Sequence, residues 1–319
     1  MILKDSIPLS CFAAWRARRA QRKVKKVAAS GARRAQRKVK SLALPLSNFG
    51  LTHTGSLKLA VILHIYYTDL THEFSQYLLN IDQPFDLLIT TDTELKRIYI
   101  RDHPICRLAA KTTVSIAVNR GRDIAPKITV LSDEYNHYEI ILFLHSKKSP
   151  HGQYLAGWRT YLLEHLLGTK TSVSNIISLF EQFPNLGMVA PKNFDRVWEA
   201  IQWGINYQEC KALARQIDVS EIREDYIDFP SGSMFWARPK ALEPILNLRL
   251  GVSDFEPENG QLDGTLAHQI ERLFYISCEK SGLSWLTVAR PEICTKKVGI
   301  ITANDLDQID SLMNRELYS

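Results

Sequence analysis

The fold is decided by residues 114–149, which read VSIAVNRGRDIAPKITVLSDEYNHYEIILFLHSKKS. Two runs of apolar residues, Val114–Val118 and Ile140–Leu144, predict strands. The segment between them, from Ile124 to about Tyr135, is helix-like. A strand, a polar turn, a helix and a second strand form a βαβ unit, in which both strands are parallel and end at the same edge of the sheet.

Each of these strands is followed by a polar, cationic turn. The first turn is Asn119–Asp123 and the second is His145–Ser149. Open α/β sheets bind ligands in the crevice at the carboxyl ends of their strands, so both turns should face one crevice. Cationic and hydrogen-bonding groups at that place suit an anionic ligand such as a nucleotide diphosphate. We therefore interpret the pattern as that of a glycosyltransferase that uses a sugar nucleotide.

The rest of the chain alternates strands and helices in the same way. Leu57–Tyr67 and Phe85–Thr91 are predicted strands, and helices are predicted at 71–79 and 93–108. Later elements expected from the pattern are helices at 154–167, 172–183, 239–246 and 265–281, a helical insertion at 194–217, and strands at 187–190, 229–237 and 285–289, the last at an edge of the sheet. This order predicts an α/β fold with a mostly parallel, Rossmann-like sheet flanked by helices.

The positive charge of the chain is concentrated at its N-terminus. Residues 1–45 carry thirteen Lys and Arg residues against one acid, a net charge of +12, whereas the other residues carry 27 basic and 33 acidic side chains, a net charge of −6. The segment ARRAQRKVK occurs twice, at 17–25 and 32–40, an offset that brings both copies to a similar side of a helix. We predict a basic amphipathic helical arm over residues 1–46 that lies on an anionic membrane surface. A solvated arm is the alternative, and nucleic acid is a weaker one because the basic residues concentrate outside the folded part.

Composition and apolar runs indicate the domain boundaries and the cellular compartment. Leu42–Gly50 is interpreted as a linker, residues 57–295 as the folded domain and residues 296–319 as a polar C-terminal tail. The five cysteines are scattered and form no CxxC pair, which is typical of a reduced, cytoplasmic protein without a disulfide frame or zinc site. No apolar run reaches the roughly 18 residues that span a bilayer, and the N-terminus lacks the order of a secretion signal.

A second informative place is the acidic loop DFEPENGQLDG at 254–264, which precedes the last long predicted helix. Asp263 in this loop fits a helix N-cap, where its carboxylate would accept backbone N–H bonds. It also fits a general base that removes the proton of a sugar hydroxyl as a glycosidic bond forms. The residues alone leave the two interpretations even.

Asp123 raises a similar choice, because Pro126 follows early in the predicted helix and suits a capped N-terminus. In the functional interpretation, Asp123 accepts hydrogen bonds from a base or a sugar hydroxyl while Arg120 and Arg122 face phosphate oxygens. His145 and Lys147 fit ordinary surface positions, but a strand of five apolar residues delivers them to the ligand edge.

Four strings in the chain resemble the rhamnan synthesis protein F family, which are bacterial glycosyltransferases of polysaccharide assembly. They are NRGRDIAP at 119–126, LHSKKS at 144–149, GSMFWARP at 232–239 and FEPENGQLDGTLAHQIER at 255–272. The resemblance covers about residues 57–290, and several specific strings in the right order are far stronger than any one of them.

The resemblance implies a GT-A-like fold and transfer of L-rhamnose, with inversion, from dTDP-L-rhamnose to a growing and lipid-linked cell-surface polysaccharide such as O-antigen or a cell-wall glycan. It implies that Asp263 is the catalytic base. The implied donor-binding residues are His64, Tyr66, Thr91, Asn119, Arg120, Arg122, Asp123, His145 and Lys147, and the implied acceptor- or sugar-binding residues are Ser231, Gly232, Ser233, Trp236, Glu258, His268 and Arg272. The protein is then expected in the cytoplasm, peripheral at the inner face of the bacterial membrane.

The family also implies a departure from the usual metal site. His145-Ser146-Lys147 stands where GT-A enzymes usually carry an Asp-x-Asp metal motif. Mg²⁺ and Mn²⁺ seek oxygen ligands, and this string has no carboxylate. Lysine, histidine and arginine side chains can instead supply positive charge to the leaving diphosphate. We expect no cofactor and a metal-independent transfer.

Two other protein classes stay open. A catalytically inactive glycan- or nucleotide-binding component of an assembly complex would keep the crevice and would tolerate replacement of Asp263. A Rossmann-type dehydrogenase shares the alternating order, but His64-Ile65-Tyr66-Tyr67 stands where its GxGxxG turn would follow the first strand.

Deletion of residues 1–45 should release the protein from anionic vesicles, because it removes the net charge of +12 that attracts the lipid headgroups. Co-sedimentation of the full-length and truncated proteins with such vesicles measures this. Unchanged binding would remove the membrane role of the arm.

Overall fold

The computed structural model describes residues 42–46, 53–146, 148, 155–294, 299–300 and 309. Within these ranges the strands are β1 Leu42–Pro45, β2 Leu59–His64, β3 Phe85–Thr91, β4 Lys111–Ile116, β5 Ile140–His145, β6 Leu186–Pro191, β7 Phe235–Ala237, β8 Ser284–Ala289 and β9 Gly299–Ile300. They form one sheet in the order β4-β3-β2-β5-β7-β6-β8-β1-β9. Strand β7 runs antiparallel to its neighbours β5 and β6, and the other described pairs are parallel.

The helices of the described ranges are α1 Thr71–Leu78, α2 Glu94–Asp102, α3 Trp158–Leu167, α4 Lys170–Gln182, α5 Tyr207–Gln216, α6 Glu243–Leu246 and α7 Leu266–Lys280. Threonines begin two of them. The Thr93 hydroxyl accepts the backbone N–H of Lys96 at 3.3 Å, and the Thr169 hydroxyl accepts that of Ser172 at 3.0 Å. Each hydroxyl satisfies one of the N–H groups that the first turn of a helix leaves without an intrahelical partner.

Strand β2 shows how the sheet divides the core. All six of its residues are buried, and their side chains alternate between two hydrophobic clusters because successive strand residues point to opposite faces. Val61 and Leu63 join the cluster that contains residues of α1, α3 and α4. Ala60 and Ile62 join the cluster that contains residues of α5, α6 and α7. The sheet is therefore covered by helices on both faces.

The predicted α/β class, with a mostly parallel sheet flanked by helices, is confirmed. Strands β4 and β5 run in the same direction, because each neighbouring pair in the order β4-β3-β2-β5 is parallel. Their carboxyl ends therefore lie at one edge, which we call the ligand edge. Strand β6 also ends there, whereas the antiparallel β7 begins there.

The helix predicted between β4 and β5 is not a regular α-helix. The chain forms a wide π-helical turn at Pro126–Val130 and a 3-10 turn at Ser132–His137. Three β-branched residues in a row, Ile128, Thr129 and Val130, disfavour a regular α-helix. The Tyr135 hydroxyl donates a hydrogen bond to the Lys127 carbonyl across the wide turn.

The segment interpreted as a linker belongs partly to the sheet. Leu42–Pro45 is strand β1, which pairs in parallel with β8, and Ala43 and Leu44 are buried. Because β1 covers β8, the prediction that β8 is an edge strand is wrong. A deletion that tests the basic arm without removing β1 must therefore end at residue 41.

The strand predicted at 229–237 is also shorter than expected. Only Phe235–Ala237 pairs with neighbouring strands, because a tight turn precedes it. In this turn the Ser233 N–H donates to the Pro230 carbonyl at 2.8 Å, and Gly232 and Ser233 have φ of 85° and 48°. These left-handed conformations are incompatible with an extended strand.

Some predictions lie outside the described residues. They concern residues 1–41, with both copies of ARRAQRKVK, Lys147, and most of the tail at 296–319. Within the tail Ile309 is described, and it is buried in the same hydrophobic cluster as Val61. The described helices include none that is long and apolar enough to cross a membrane.

Candidate functional site

The ligand edge is centred on the carboxylate of Asp123, which follows β4. This side chain is buried, and Oδ2 accepts a hydrogen bond from the Ser233 hydroxyl. Oδ2 lies 3.4 Å from Lys127 Nζ, and Oδ1 lies 3.6 Å from His145 Nδ1. Asp123 therefore joins the turn after β4, the end of β5 and the turn before β7. The first two are the regions that the sequence predicted at one crevice, whereas the turn before β7 falls in the segment predicted as a strand.

Close packing at Gly121 sets the shape of the Asn119–Asp123 turn. Gly121 has a φ of 61°, and a Cβ atom there would lie 2.7 Å from Ala125 Cβ and would also overlap the Phe255 ring. Glycine alone fits both the left-handed backbone and the close approach. The neighbouring Asn119 side chain is exposed.

The two arginines of this turn hold the acidic loop. Arg120 Nη1 donates to the Phe255 carbonyl at 3.0 Å, and its backbone forms a bridge with Pro257. Arg122 donates from its backbone N–H to Glu258 Oε1 at 3.1 Å and from its guanidinium to the Gln261 carbonyl. Its Nε lies 3.7 Å from Glu258 Oε2. In this structure these side chains thus contact protein groups rather than facing an open phosphate position.

His145 lies between two acceptors at the end of β5. Its Nε2 is 2.7 Å from the Gly232 carbonyl, and its Nδ1 faces the Asp123 carboxylate. A neutral imidazole has one N–H and can donate to only one of the two, whereas the protonated ring can donate to both. His145 thus connects the β5 end to the turn before β7.

The neighbours of His145 organise the same edge. The Ser146 hydroxyl accepts the backbone N–H groups of Tyr66 and Tyr67 at 2.8 Å and 2.9 Å, which ties β5 to the segment after β2. Lys148 Nζ pairs with Asp69 at 2.5 Å. Lys147, the lysine predicted to contact the diphosphate, lies outside the described residues.

The turn Ser231-Gly232-Ser233 is held from several sides. The Ser231 hydroxyl donates to Asn193 Oδ1 at 2.6 Å, and the Gly232 N–H donates to Glu271 Oε1 at 2.8 Å. A Cβ atom on Gly232 would lie 2.8 Å from Leu162 Cδ1, so this turn also requires glycine. Trp236, three residues beyond the turn, is fully buried and its indole N–H donates to the Leu166 carbonyl at 3.4 Å. The expectation that Trp236 contacts an acceptor is therefore wrong, because its side chain belongs to the core.

Asp263 does not cap α7. The N-cap position is Thr265, whose hydroxyl lies 2.7 Å from His268 Nδ1, and the Leu266 N–H donates to the Glu256 carboxylate at 3.1 Å. Capping is thus done by other residues, which removes the alternative that the sequence left open for Asp263. His268 is likewise engaged at the helix start, where it was expected at a sugar.

Two side chains orient the Asp263 carboxylate instead. Oδ1 accepts from Asn206 Nδ2 at 2.8 Å and lies 3.1 Å from Arg272 Nη2, and the side chain is 34% exposed. Arg272 is buried, and it donates to the carbonyls of Gln202 at 3.1 Å and His268 at 2.9 Å. Arg272, which was expected to bind a sugar, therefore supports Asp263 in this structure.

The remaining predicted donor residues line the ends of β2 and β3. His64 Nδ1 lies 2.9 Å from the Thr90 hydroxyl, and the Thr91 hydroxyl donates to the Ile65 carbonyl at 2.7 Å. The Tyr66 ring is half-buried, with Lys96 Nζ 4.0 Å from its centroid. Burial lowers the pKa of His64 to about 4, although the Asp123 carboxylate acts in the opposite direction.

Sequence reasoning missed three residues that hold this site, namely Lys127, Asn206 and Glu271. Lys127 stands four residues after Asp123, a helical spacing that could have indicated the pair. Asn206 and Glu271 contact residues 57 and 39 positions away, and nothing in the local pattern indicates such pairs. The described residues contain no group of three or more His, Cys, Asp or Glu side chains that could hold a metal ion.

Comparison with known proteins identifies the family of the chain. It matches rhamnan synthesis protein F over residues 42–281. The chain belongs to that family. The match begins at the first residue of β1 and ends just after α7, so it includes all of the residues described above for the candidate site.

The chain is 34% identical over 254 residues to the uncharacterized protein WxcX of Xanthomonas campestris pv. campestris, strain B100. The alignment covers 77% of the chain and 35% of WxcX, and the same values hold for WxcX of strain ATCC 33913. The chain therefore spans about a third of the length of the curated relatives it matches.

Two solved structures are similar to the chain. One is S. aureus TarS 1–349 in complex with UDP, with a TM-score of 0.41, 14% identity, and coverage of 80% of this chain and 64% of TarS. The other is CMP:2-keto-3-deoxy-manno-octonic acid synthetase complexed with CTP, with a TM-score of 0.35, 9% identity, and coverage of 72% and 88%. At these scores the likeness assigns no function to the chain.

The stability of the protein should fall as the pH drops from about 6.5 to about 4, because His64 is buried as the neutral imidazole. In that window the unfolded chain binds a proton at His64 and the folded chain does not, so the free energy of unfolding decreases by up to about 3 kcal/mol. Chemical denaturation at several pH values measures this. His165, whose pKa burial also lowers to about 4, contributes in the same direction.

The variant His64→Asn isolates the contribution of His64. It keeps a hydrogen-bonding group near Thr90 but cannot titrate in this window, so its stability should depend less steeply on pH than that of the wild type. An equal slope in both proteins would show that His64 is not buried as the neutral form.

Proposed function

We propose that the chain is a glycosyltransferase that moves a sugar from a nucleotide donor to a polysaccharide acceptor, with Asp263 as its general base. The observation that carries this proposal is the orientation of Asp263. Its hydrogen bond and its ion pair with described residues are both made by Oδ1, Oδ2 lies beside Gly204, where a Cβ atom would be 2.8 Å away, and the side chain is 34% exposed. A carboxylate held in this way can present Oδ2 to an acceptor hydroxyl. Membership of the rhamnan synthesis protein F family supports a polysaccharide as the acceptor class.

In the proposed reaction the acceptor hydroxyl gives its proton to Asp263 while its oxygen attacks the anomeric carbon of the donor sugar. The bond between that carbon and the diphosphate oxygen breaks, and its electron pair leaves with the nucleoside diphosphate. Attack from the side opposite the leaving group inverts the configuration of the anomeric carbon. Arg272 and Asn206 hold the base in place, since effective proton transfer requires a fixed geometry.

Positive charge for the leaving diphosphate would come from the turn after β5. His145 and Lys147 are the proposed groups, and Lys148 would exchange Asp69 for a phosphate oxygen. The Asn119–Asp123 turn would contact the nucleotide. Because Arg120 and Arg122 hold carbonyl groups of the acidic loop, a phosphate that draws these arginines away would also move the loop that carries Asp263.

The finer parts of the proposal rest on the sequence resemblance. They are dTDP-L-rhamnose as the donor, a lipid-linked cell-surface glycan as the acceptor, and attachment of the basic arm to the inner face of a bacterial membrane. Attachment of the arm would bring the enzyme close to its acceptor, since a lipid-linked glycan is held at that surface. The chain covers only 35% of the curated relatives it matches. An activity, substrate or partner of the whole protein is therefore likewise a proposal.

Asp263→Asn should lower the turnover number by about 10²- to 10⁴-fold, because the amide cannot accept the proton. Donor binding should change little, since Asp263 lies on the acceptor side of the proposed reaction. Release of dTDP from dTDP-L-rhamnose measures turnover, and calorimetry measures donor binding. The matched control is Asp254→Asn in the same acidic loop, where the carboxylate accepts the Gly251 N–H at 2.7 Å; this variant should stay active.

Near-normal turnover of Asp263→Asn would reject Asp263 as the base. Donor binding without turnover by the wild type, with an acceptor present, would favour an inactive binding component instead.

Transfer should continue in EDTA, because the string His145-Ser146-Lys147 offers cations where a metal would otherwise bind. The measurement is the rate of dTDP release with EDTA and after addition of Mg²⁺ or Mn²⁺. Activity that is lost in EDTA and restored by either metal would overturn the metal-independent mechanism.

A further inference from the structure

Lys127 is a buried cation directly beneath the ligand edge. Its side chain is 4% exposed, and it belongs to the π-helical turn that follows Asp123. The ammonium lies over the faces of three aromatic rings, at 5.3 Å from the centroid of Phe143, 5.0 Å from Phe235 and 5.2 Å from Phe274. These rings come from β5, β7 and α7, so the position of the ammonium is set by three separate elements.

The polar contacts of Lys127 connect two turns that are distant in sequence. Nζ donates to the Ser233 carbonyl at 2.8 Å and lies 3.4 Å from Asp123 Oδ2. Asp123 Oδ2 in turn accepts from the Ser233 hydroxyl, which closes a ring of three residues. The sequence separation between Lys127 and Ser233 is 106 residues, so this ring holds the Asn119–Asp123 turn against the turn before β7.

Burial of a charge costs free energy, and the groups around Lys127 offset part of this cost for its ammonium. Burial lowers the pKa of Lys127, while the charge and hydrogen bond of Asp123 and the charge of Glu271 act in the opposite direction. Glu271 also accepts the N–H of Gly232, so the carboxylate that favours the buried cation contacts the same turn. Loss of one member of such a buried pair leaves the other charge uncompensated.

A second buried lysine provides a contrast. Lys192 is also 4% exposed, but its ion pair is to Asp195, three residues away at 3.3 Å. Both ion pairs are local, since Asp123 lies only four residues from Lys127, but Lys127 also donates to the Ser233 carbonyl in the turn before β7. Lys192 directly follows β6, which ends at the same edge, so the two lysines share their burial and their edge and differ in the link between the turns. A structural role common to buried lysines would show in both residues, whereas a role in joining the two turns is specific to Lys127.

We propose that Lys127 is a positioning residue of the donor site, whose ammonium joins the Asp123 carboxylate to the Ser233 carbonyl and so sets the distance between the two turns that would contact the nucleotide sugar. This inference rests on the proposed function in one respect, namely that the nucleotide donor binds between these turns. The link between the turns does not depend on that function, because it consists of the contacts of Lys127 and the hydrogen bond from Ser233 to Asp123.

The test compares Lys127→Met with Lys192→Met. Methionine packs well against aromatic rings, which favours retention of the core in Lys127→Met. We expect Lys127→Met to weaken binding of dTDP by about 10-fold or more, since Asp123 loses its buried partner and the Ser233 carbonyl loses its donor. With dTDP-L-rhamnose, the KM of the donor should rise more than kcat falls. Lys192→Met should bind dTDP within about twofold of the wild type, whatever its loss of stability.

Hydrogen exchange gives a second readout that needs no nucleotide. In Lys127→Met, amide protection should fall in the peptides that cover residues 119–127 and 230–237, and strands β2 and β6 should keep theirs. If Lys127→Met does not fold, Lys127→Gln replaces it, because its amide can still donate to Ser233 without the charge. That variant should show the same losses to a smaller extent.

The outcomes separate this inference from the proposed function. Tight dTDP binding by Lys127→Met, or equal losses of binding in the Lys127 and Lys192 variants, overturns the positioning role while the donor site stands. Unchanged exchange in both turns overturns it as well. If the wild type binds no nucleotide, the proposed function fails, and a loss of protection in Lys127→Met then assigns Lys127 to the fold rather than to a donor site.

Discussion

The ligand edge depends on one buried arrangement of charges, the carboxylate of Asp123 with Lys127, Ser233 and His145 around it. A carboxylate and an ammonium at this depth lose most of their hydration, so each is stabilised by the other, and the charge of Glu271 also favours the ammonium. The geometry is thereby made specific, since displacement of the turn before β7 would remove the Ser233 hydroxyl from Asp123 and the Ser233 carbonyl from Lys127. The parallel strands bring the turns to one edge, and the buried contacts of Asp123 and Lys127 set the distance between the turns.

The reversed direction of β7 makes this arrangement possible. A parallel strand at that place in the sheet would end at the ligand edge, whereas β7 begins there. The turn Ser231-Gly232-Ser233 is therefore presented at the same edge as Asp123 and His145, and its close approach needs the small residue Gly232. Gly121 does the same for the turn after β4, against Ala125 and Phe255. Both glycines allow backbone to pack where a side chain would collide.

A second set of contacts couples the two halves of the candidate site. The arginines Arg120 and Arg122 donate to carbonyl groups of the acidic loop, and Asp263 stands in that loop with Arg272 and Asn206. The turn proposed to contact the nucleotide is thus physically linked to the residue proposed to act on the acceptor. Such a link would let binding of the proposed donor change the position of the proposed base, because arginine donors can move from a carbonyl to a more strongly accepting phosphate.

The sequence by itself determined the α/β class, most strands and the carboxyl ends at which the polar turns meet, because hydrophobic periodicity and chain order are local properties. It also indicated Asp123, His145 and Asp263 as residues of one edge. Only the tertiary structure decided what each side chain contacts. It showed that β1 lies in the sheet, that Trp236 is core, that Thr265 and not Asp263 caps α7, and that Arg272 supports Asp263. These outcomes depend on partners tens of residues away, and the free energy of burying a charge or a ring depends on those partners rather than on its neighbours in sequence.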